Sequence, residues 1–188
     1  MDPYCPHLYH ETFDTEKGRI VVWKSGDYFD KIKGSIKKKD LEKQEIIRML
    51  NILGYAITDL HYKESGQPML KNDSTEYISI SHSQGWFAIY LAEQPVGIDV
   101  EVERKKIGNG KDWFLNQFEL ENFYSNDELH IIWCAKEALY KLMEGIITDP
   151  KNEITINHIG LETINMTYDN REFLFCYKQI KNSFVVWS

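Results

Sequence analysis

The order of predicted elements, a helix followed by several short strands, occurs twice along this chain and limits its fold more than any other feature. The first helical pattern covers residues 37–53, and β-branched and aromatic residues then gather in short pieces over 55–101. The second unit has a weakly helical piece at 113–123, a stronger helix at 126–144 and strand patterns over 154–187. This order predicts the α+β class. A division into two lobes stays open at this point, because no residue-level identity between the halves supports a duplication.

Charge and composition exclude several classes of protein. The 188 residues include 29 acidic and 22 basic ones, and a formal net charge of -7 does not favour binding to a nucleic acid. The longest apolar run covers only 86–92, and the N-terminus has neither a basic start nor an apolar stretch, so we expect no membrane span and no secretion signal. Three widely spaced cysteines, Cys5, Cys134 and Cys176, form no disulfide framework and indicate the reducing cytoplasm.

The strand pattern GIDVE at 97–101 places two carboxylates on one face, because side chains alternate along a strand. Asp99 and Glu101 are then close enough to share one divalent cation, and Mg²⁺ with phosphate oxygens and water is a natural partner. Burial of both carboxylates is costly unless a metal or strong donors offset it. The alternative is an exposed strand end whose acidic residues continue into Glu103.

The segment WCAKEALYK at 133–141 lies in the strongest predicted helix. Glu137 and Lys141 are four residues apart, so a carboxylate and an ammonium group can converge on one bound group. The alternative is an ordinary surface ion pair, which stabilises a helix by about 0.2–0.5 kcal/mol.

Two further segments contain polar groups that can bind phosphate. On the strand ISISHS, Ser81 points to one face and His82 to the other, and a hydroxyl and an imidazole at a strand end suit phosphate oxygens. A structural histidine is the alternative. A serine hydrolase site is excluded, because adjacent strand positions cannot bring a nucleophile against its base. The turn at Gln67 and Pro68 indicates by itself only a loop.

Taken together and in this order, GQPML, ISISHS, GIDVE and WCAKEALYK resemble the signature of the 4′-phosphopantetheinyl transferases, the enzymes that load carrier proteins from coenzyme A. The mid-chain position of GIDVE is similar to the longer, Sfp-like type of that family. This resemblance implies two similar helix-plus-antiparallel-strand lobes that form an intramolecular pseudo-dimer, with lobes at 1–104 and 105–188 and a monomer in solution. The site is then expected between the lobes.

The resemblance also implies a role for each matching residue. Asp99, Glu101 and Glu137 become ligands of a Mg²⁺ on the pyrophosphate of coenzyme A. A serine of an acyl or peptidyl carrier protein attacks the β-phosphorus and 3′,5′-ADP departs, with Glu137 or a water on the metal accepting the proton and Lys141 stabilising the leaving phosphate. The remaining expected contacts to coenzyme A are Gln67, Pro68, Ser81, His82, Lys136 and Lys141.

One departure from the family pattern supports a rival interpretation. The family usually has Lys in the turn where this chain has Gln67, so one cation beside a highly anionic ligand is lost. The first rival is therefore a non-catalytic member of the same fold that binds coenzyme A or a carrier protein. The second is a metal-dependent phosphohydrolase that uses the same carboxylates with water as the acceptor.

Aromatic residues after GIDVE are either core residues or an apolar docking surface for a carrier helix: Trp113, Phe114, Phe118 and Phe123.

Overall fold

The structure is a computed structural model that describes residues 9–34, 36–70 and 76–188. Its helices and antiparallel strands confirm the α+β class. The strands are β1 Tyr9–Asp14, β2 Gly18–Lys24, β3 Leu60–Tyr62, β4 Pro68–Leu70, β5 Tyr77–Ser83, β6 Trp86–Ala92, β7 Ile98–Val102, β8 Thr155–Ile159, β9 Thr163–Tyr168, β10 Arg171–Ile180 and β11 Ser183–Trp187. The helices are α1 Tyr28–Lys33, α2 Lys38–Ile52, α3 Asn126–Leu142 and α4 Pro150–Glu153.

Two antiparallel sheets carry the fold. The first has four strands in the order β1-β2-β6-β5, and the second has five in the order β7-β11-β10-β9-β8. A tight turn at Asp169 and Asn170, both with positive φ, joins β9 to β10. The strands β3 and β4 form a separate two-stranded ribbon.

The two sheets face each other, and each carries a helix on its outer side. Ile20 and Trp86 of the first sheet pack with Val100 and Val185 of the second in one buried cluster. The apolar face of α2 packs on the other side of the first sheet, and that of α3 on the other side of the second. The core therefore has four layers, helix, sheet, sheet and helix, and each layer buries the apolar face of the next.

The two sheets share a pattern of connections. In the first unit, β2 precedes α2 and pairs with the last strand, β6, which pairs with β5. In the second unit, β7 precedes α3 and pairs with the last strand, β11, which pairs with β10. The predicted lobe boundary at residue 104 places β7 with the N-terminal lobe, whereas its hydrogen bonds are to the C-terminal sheet. The boundary and the pseudo-dimer stay predictions.

The predicted helix over 113–123 is wrong. The structure has 3₁₀ turns at Ile107–Trp113 and Glu119–Glu121 instead. Asn116 and Glu119 explain the difference, because each side chain accepts a hydrogen bond from the backbone N–H of the other. Such local side-chain bonds compete with helix formation. The described residues contain no helix both long and apolar enough to cross a membrane.

Candidate active site

Serine side chains join the edge of the first sheet to the edge of the second. Ser79 and Ser81 lie on one face of β5, as strand alternation requires. The hydroxyl of Ser79 accepts the backbone N–H of Ile98 at 3.1 Å, and that of Ser81 accepts the N–H of Val100 at 3.2 Å. Ser81 also donates to Asp99 Oδ1 at 2.6 Å. The hydroxyls therefore replace a strand partner for β7 and orient its first carboxylate.

The second carboxylate of β7 has a cationic partner. Glu101 accepts the hydroxyl of Ser83 at 2.6 Å and two N–H groups of Arg104, at 3.2 and 2.8 Å. The backbone N–H of Arg104 donates to Nε2 of buried His130 at 2.8 Å. Since Nε2 accepts, Nδ1 of His130 carries the proton and donates to the Asn126 carbonyl at 2.7 Å. His130 thus fixes the turn that holds the Arg104 fork against Glu101.

Helix α3 crosses β7 at very short range, and Gly97 makes this approach possible. A Cβ on Gly97 would lie 1.9 Å from the carbonyl oxygen of Ala138, which no side chain tolerates. The close crossing brings Lys141 onto the strand. Its Nζ donates to Asp99 Oδ1 at 2.7 Å and to the carbonyl of Ile98 at 3.0 Å.

Glu137 shares the strand-facing side of α3 with Lys141, one turn earlier. Burial raises the pKa of Glu137, and the charges of Asp99 and Glu101 raise it further, while Lys141 lowers it. Asp99 and Glu101 are each 6% exposed. The charges of Asp99, Glu101 and Lys141 therefore act on Glu137 across the contact between α3 and β7.

His82 lies on the opposite face of β5 from Ser81. Regular strand geometry continues through Ser83, so the alternation of the two side chains is retained. Nδ1 of His82 lies 3.3 Å from Oε1 of Glu42, and the side chain is 38% exposed. Burial lowers the pKa of His82, whereas the charge of Glu42 raises it. Ser81 and His82 are thus neighbours on β5, and their side chains lie on opposite faces of the strand.

A small cavity of about 200 Å³ lies beside β5, between the turn at residues 65–68 and the end of α3. Gln67 and Pro68 line one side and Lys141 lines the other. Glu144 closes one end, where it accepts a hydrogen bond from Gln67 and pairs with Lys63 at 2.8 Å. Oε1 of Gln67 is buried and has no partner among the described residues. The predicted binding residues Gln67, Pro68 and Lys141 therefore share one cavity.

Lys136 does not reach this site. It is 2% exposed, and its Nζ donates to Glu119 Oε2 at 2.7 Å and to the carbonyl of Lys151 at 3.1 Å. Burial lowers the pKa of Lys136, and Glu119 opposes that shift. The helix turns Lys136 by about 100° from Glu137, which points it into the C-terminal core. Its position supports a structural ion pair and not the expected phosphate contact.

A larger cavity of about 430 Å³ opens beside Glu101. The aromatic residues Trp113, Phe114 and Trp133 line it, and so does Arg104. Phe114 is buried, but Trp113 is exposed. Phe114 therefore belongs to the core, and Trp113 leaves an apolar side chain at the surface.

Several groups at the site were missed from the sequence. The period-two run of Ser79, Ser81 and Ser83 was a readable signal for one polar face of β5. Arg104 follows Glu101 by three residues within a run of charged residues, and nothing in that run distinguishes it as the partner of Glu101. Glu42 gave no local signal, because its partner is 40 positions away along the chain.

Comparison with known proteins finds a similarity over the second half of the chain. No curated protein matches the sequence. A family model matches residues 95–186, just under half of the chain, and this stretch contains β7, α3 and the four final strands. Asp99, Glu101, Glu137 and Lys141 all fall inside it. Residues 95–186 are similar to the 4′-phosphopantetheinyl transferase superfamily. This match implies transferase activity in general.

Proposed function

We propose that this protein transfers 4′-phosphopantetheine from coenzyme A to a serine of an acyl or peptidyl carrier protein, in a Mg²⁺-dependent reaction that releases 3′,5′-ADP. One observation carries the proposal. The buried carboxylates of Asp99 and Glu101 face Glu137 and Lys141 of α3 within the segment that matches the transferase superfamily. The reaction needs such a group of oxygen ligands beside a cation, because it separates charge on a diphosphate.

The donor set fits Mg²⁺, which prefers carboxylate oxygens together with substrate phosphate. We assign Asp99, Glu101 and Glu137 as the ligands. Within the described ranges, no three acidic, histidine or cysteine side chains already form a ready metal-binding group. Lys141 and Arg104 hold two of the carboxylates instead, and both cations would have to move toward phosphate oxygens when the ion binds. A bound Mg²⁺ supplies charge neutralisation for the diphosphate.

The residues of this chain can carry out the proton transfers. The carrier serine oxygen forms a bond to the β-phosphorus of coenzyme A while the bond from that phosphorus to the bridging oxygen breaks. Glu137 takes the serine proton as the general base. Lys141 stabilises the charge that develops on the leaving 3′,5′-ADP or donates a proton to it.

Coenzyme A is expected beside β5, near the place where this strand meets β7 and α3. Ser81 and His82 lie on β5, and the cavity of about 200 Å³ places Gln67, Pro68 and Lys141 beside it. The unpartnered Oε1 of Gln67 accepts hydrogen bonds, so it suits an amino or hydroxyl group of the nucleotide and not a phosphate.

The aromatic cavity beside Glu101 is our candidate for the carrier protein. Trp113, Phe114 and Trp133 offer an apolar surface for a carrier helix, and Arg104 and Lys106 at the same cavity favour an acidic partner despite the negative net charge.

The shared strand connections support the Sfp-like proposal that one chain forms an intramolecular pseudo-dimer. In each unit the strand before the main helix pairs with the last strand, which pairs with the one before it. Such a chain needs no second copy to complete its site, so we expect a monomer. The free thiols of Cys134 and Cys176 favour the cytoplasm as its compartment.

The test is the intact mass of an apo carrier protein after incubation with this protein, coenzyme A and Mg²⁺. We expect a gain of one phosphopantetheine group, which is lost with EDTA and with Glu137→Ala. No gain with any of several acyl and peptidyl carriers would contradict the proposal.

One observation favours the non-catalytic alternative. The cations that hold Asp99 and Glu101 already balance these carboxylates without a metal. In a pure binding protein, Glu137→Ala leaves the affinity for coenzyme A and carrier intact and there is no transfer to lose. Carrier-independent release of phosphopantetheine would instead identify the hydrolase.

A further inference from the structure

A buried carboxylate on α2 stands behind His82, outside the segment that matches the superfamily. Oε1 of Glu42 accepts the hydroxyl of Tyr28 at 2.9 Å and lies 3.3 Å from Nδ1 of His82 and 3.7 Å from Nζ of Lys38. Three elements, α1, α2 and β5, thus supply partners to one oxygen. Burial of a charged carboxylate costs desolvation free energy, and these partners offset that cost.

The ring of His82 has two unequal edges. The Nδ1 edge faces Glu42, and the ring packs against Phe87 with a centroid distance of 6.0 Å. No described residue makes a hydrogen bond to Nε2. Since the side chain is 38% exposed, the free edge is the one that a ligand can reach.

The charged groups around His82 lie on three elements, α2, α3 and β7. Glu42 and Lys38 face it from α2, Lys141 from α3 and Asp99 from β7. Among them, Glu42 is the only one within ion-pair distance of the ring in the described residues. Tyr28 keeps its proton, because burial and Glu42 raise its pKa, and it remains a donor to the carboxylate.

We propose that Glu42 is a positioning residue for coenzyme A, which holds the Nδ1 edge of His82 so that Nε2 is presented to a phosphate oxygen. The negative charges of Glu42 and of a bound phosphate both favour a proton on each ring nitrogen, and the ring then binds Glu42 on one edge and donates to the anion on the other. The inference rests on the proposed function, because it takes coenzyme A as the ligand of this edge.

The test measures coenzyme A binding by calorimetry and transfer by steady-state kinetics in Glu42→Gln. We expect the dissociation constant and the KM for coenzyme A to rise by about tenfold, as the loss of one charge-assisted contact predicts, with kcat within about twofold. Glu42→Asp should recover part of the affinity, because it restores the charge with a shorter reach. In a His82→Gln background, Glu42→Gln should cause no further loss.

Glu45→Gln is the matched control. Glu45 is a buried glutamate one turn further along α2, and its partners are Lys31 at 3.5 Å and Arg48 at 2.5 Å. This variant removes the same charge from the same helix without touching His82, so its affinity for coenzyme A should equal that of the wild type. Urea denaturation of every variant separates lost affinity from lost folding, and Glu42→Asp carries the test if Glu42→Gln does not fold.

Two results would overturn the inference. One is equal affinity in Glu42→Gln and Glu45→Gln, and the other is an undiminished effect of Glu42→Gln in the His82→Gln background. Failure of the proposed function is distinguishable, because the wild-type protein would then modify no carrier. If it still binds coenzyme A, calorimetry tests the role of Glu42 by itself. If it does not bind coenzyme A, both proposals are overturned.

Discussion

The buried ion pair of Lys136 and Glu119 predicts a large loss of stability for Lys136→Met. Methionine fills similar space but removes the two hydrogen bonds that Nζ makes, to Glu119 Oε2 and to the carbonyl of Lys151. Glu119, which is 0% exposed, then keeps only the backbone amides of Asn116 and Ile156 as donors. A buried charge that loses its partner costs about 3–5 kcal/mol.

Urea denaturation followed by tryptophan fluorescence measures this loss. With an m-value of about 2 kcal/mol/M, the midpoint should fall by about 1.5–2.5 M. Adding Glu119→Gln should recover about 1–3 kcal/mol of the free energy of unfolding, because the unpaired charge is removed. Lys151→Met is the control, since Lys151 takes part through its backbone carbonyl and its side chain does not contact Glu119.

The opposite pattern would refute this reasoning. If Lys136→Met unfolds within about 0.5 kcal/mol of the wild type, as an ordinary surface substitution does, the pair is not structural. A simultaneous loss of coenzyme A affinity would then restore the original interpretation of Lys136 as a phosphate contact.

Three further predictions follow from the site. Gly97→Ala should lower the free energy of unfolding by at least about 1–3 kcal/mol and reduce transfer, because its Cβ would lie 1.9 Å from the carbonyl oxygen of Ala138; unchanged urea midpoint and activity would contradict the tight crossing. Lys141→Met should lower kcat by about 100-fold or more while the protein stays folded, and a change confined to KM would assign it to binding alone. Buried Cys134 should react with a thiol reagent only after unfolding, whereas Cys176 should react in the native protein. Because burial raises the pKa of both thiols, the reaction rate of Cys176 should still increase with pH above the ordinary thiol pKa. Peptide mass mapping separates the two sites.

The sequence predicts best those elements whose signals are local. The helix expected at 126–144 is observed at Asn126–Leu142, since Ser125 and Glu128 form a capping box at its start and an apolar stripe continues to its end. The weak pattern at 113–123 failed, because reciprocal bonds between Asn116 and Glu119 satisfied the backbone in another way. Local hydrogen-bonding competition of this kind is not visible in hydrophobic periodicity.

The site was predictable to the extent that it follows from period and spacing. Strand alternation placed Asp99 and Glu101 on one face, and helical spacing placed Glu137 and Lys141 together. Which face of α3 meets β7 depends on the close approach at Gly97, which only the packed structure shows. For the same reason, spacing could not show that Lys136 points into the core, nor that Glu42 of α2 reaches His82.

The most direct measurement of the central claim is the amount of 3′,5′-ADP released per carrier protein modified. We predict one 3′,5′-ADP for each phosphopantetheine attached, no release without an apo carrier, and no release by Glu137→Gln, while the exposed control Glu121→Gln behaves as the wild type. Release that continues without a carrier, or transfer that persists in Glu137→Gln, would contradict a carrier-specific transferase centred on Asp99, Glu101 and Glu137.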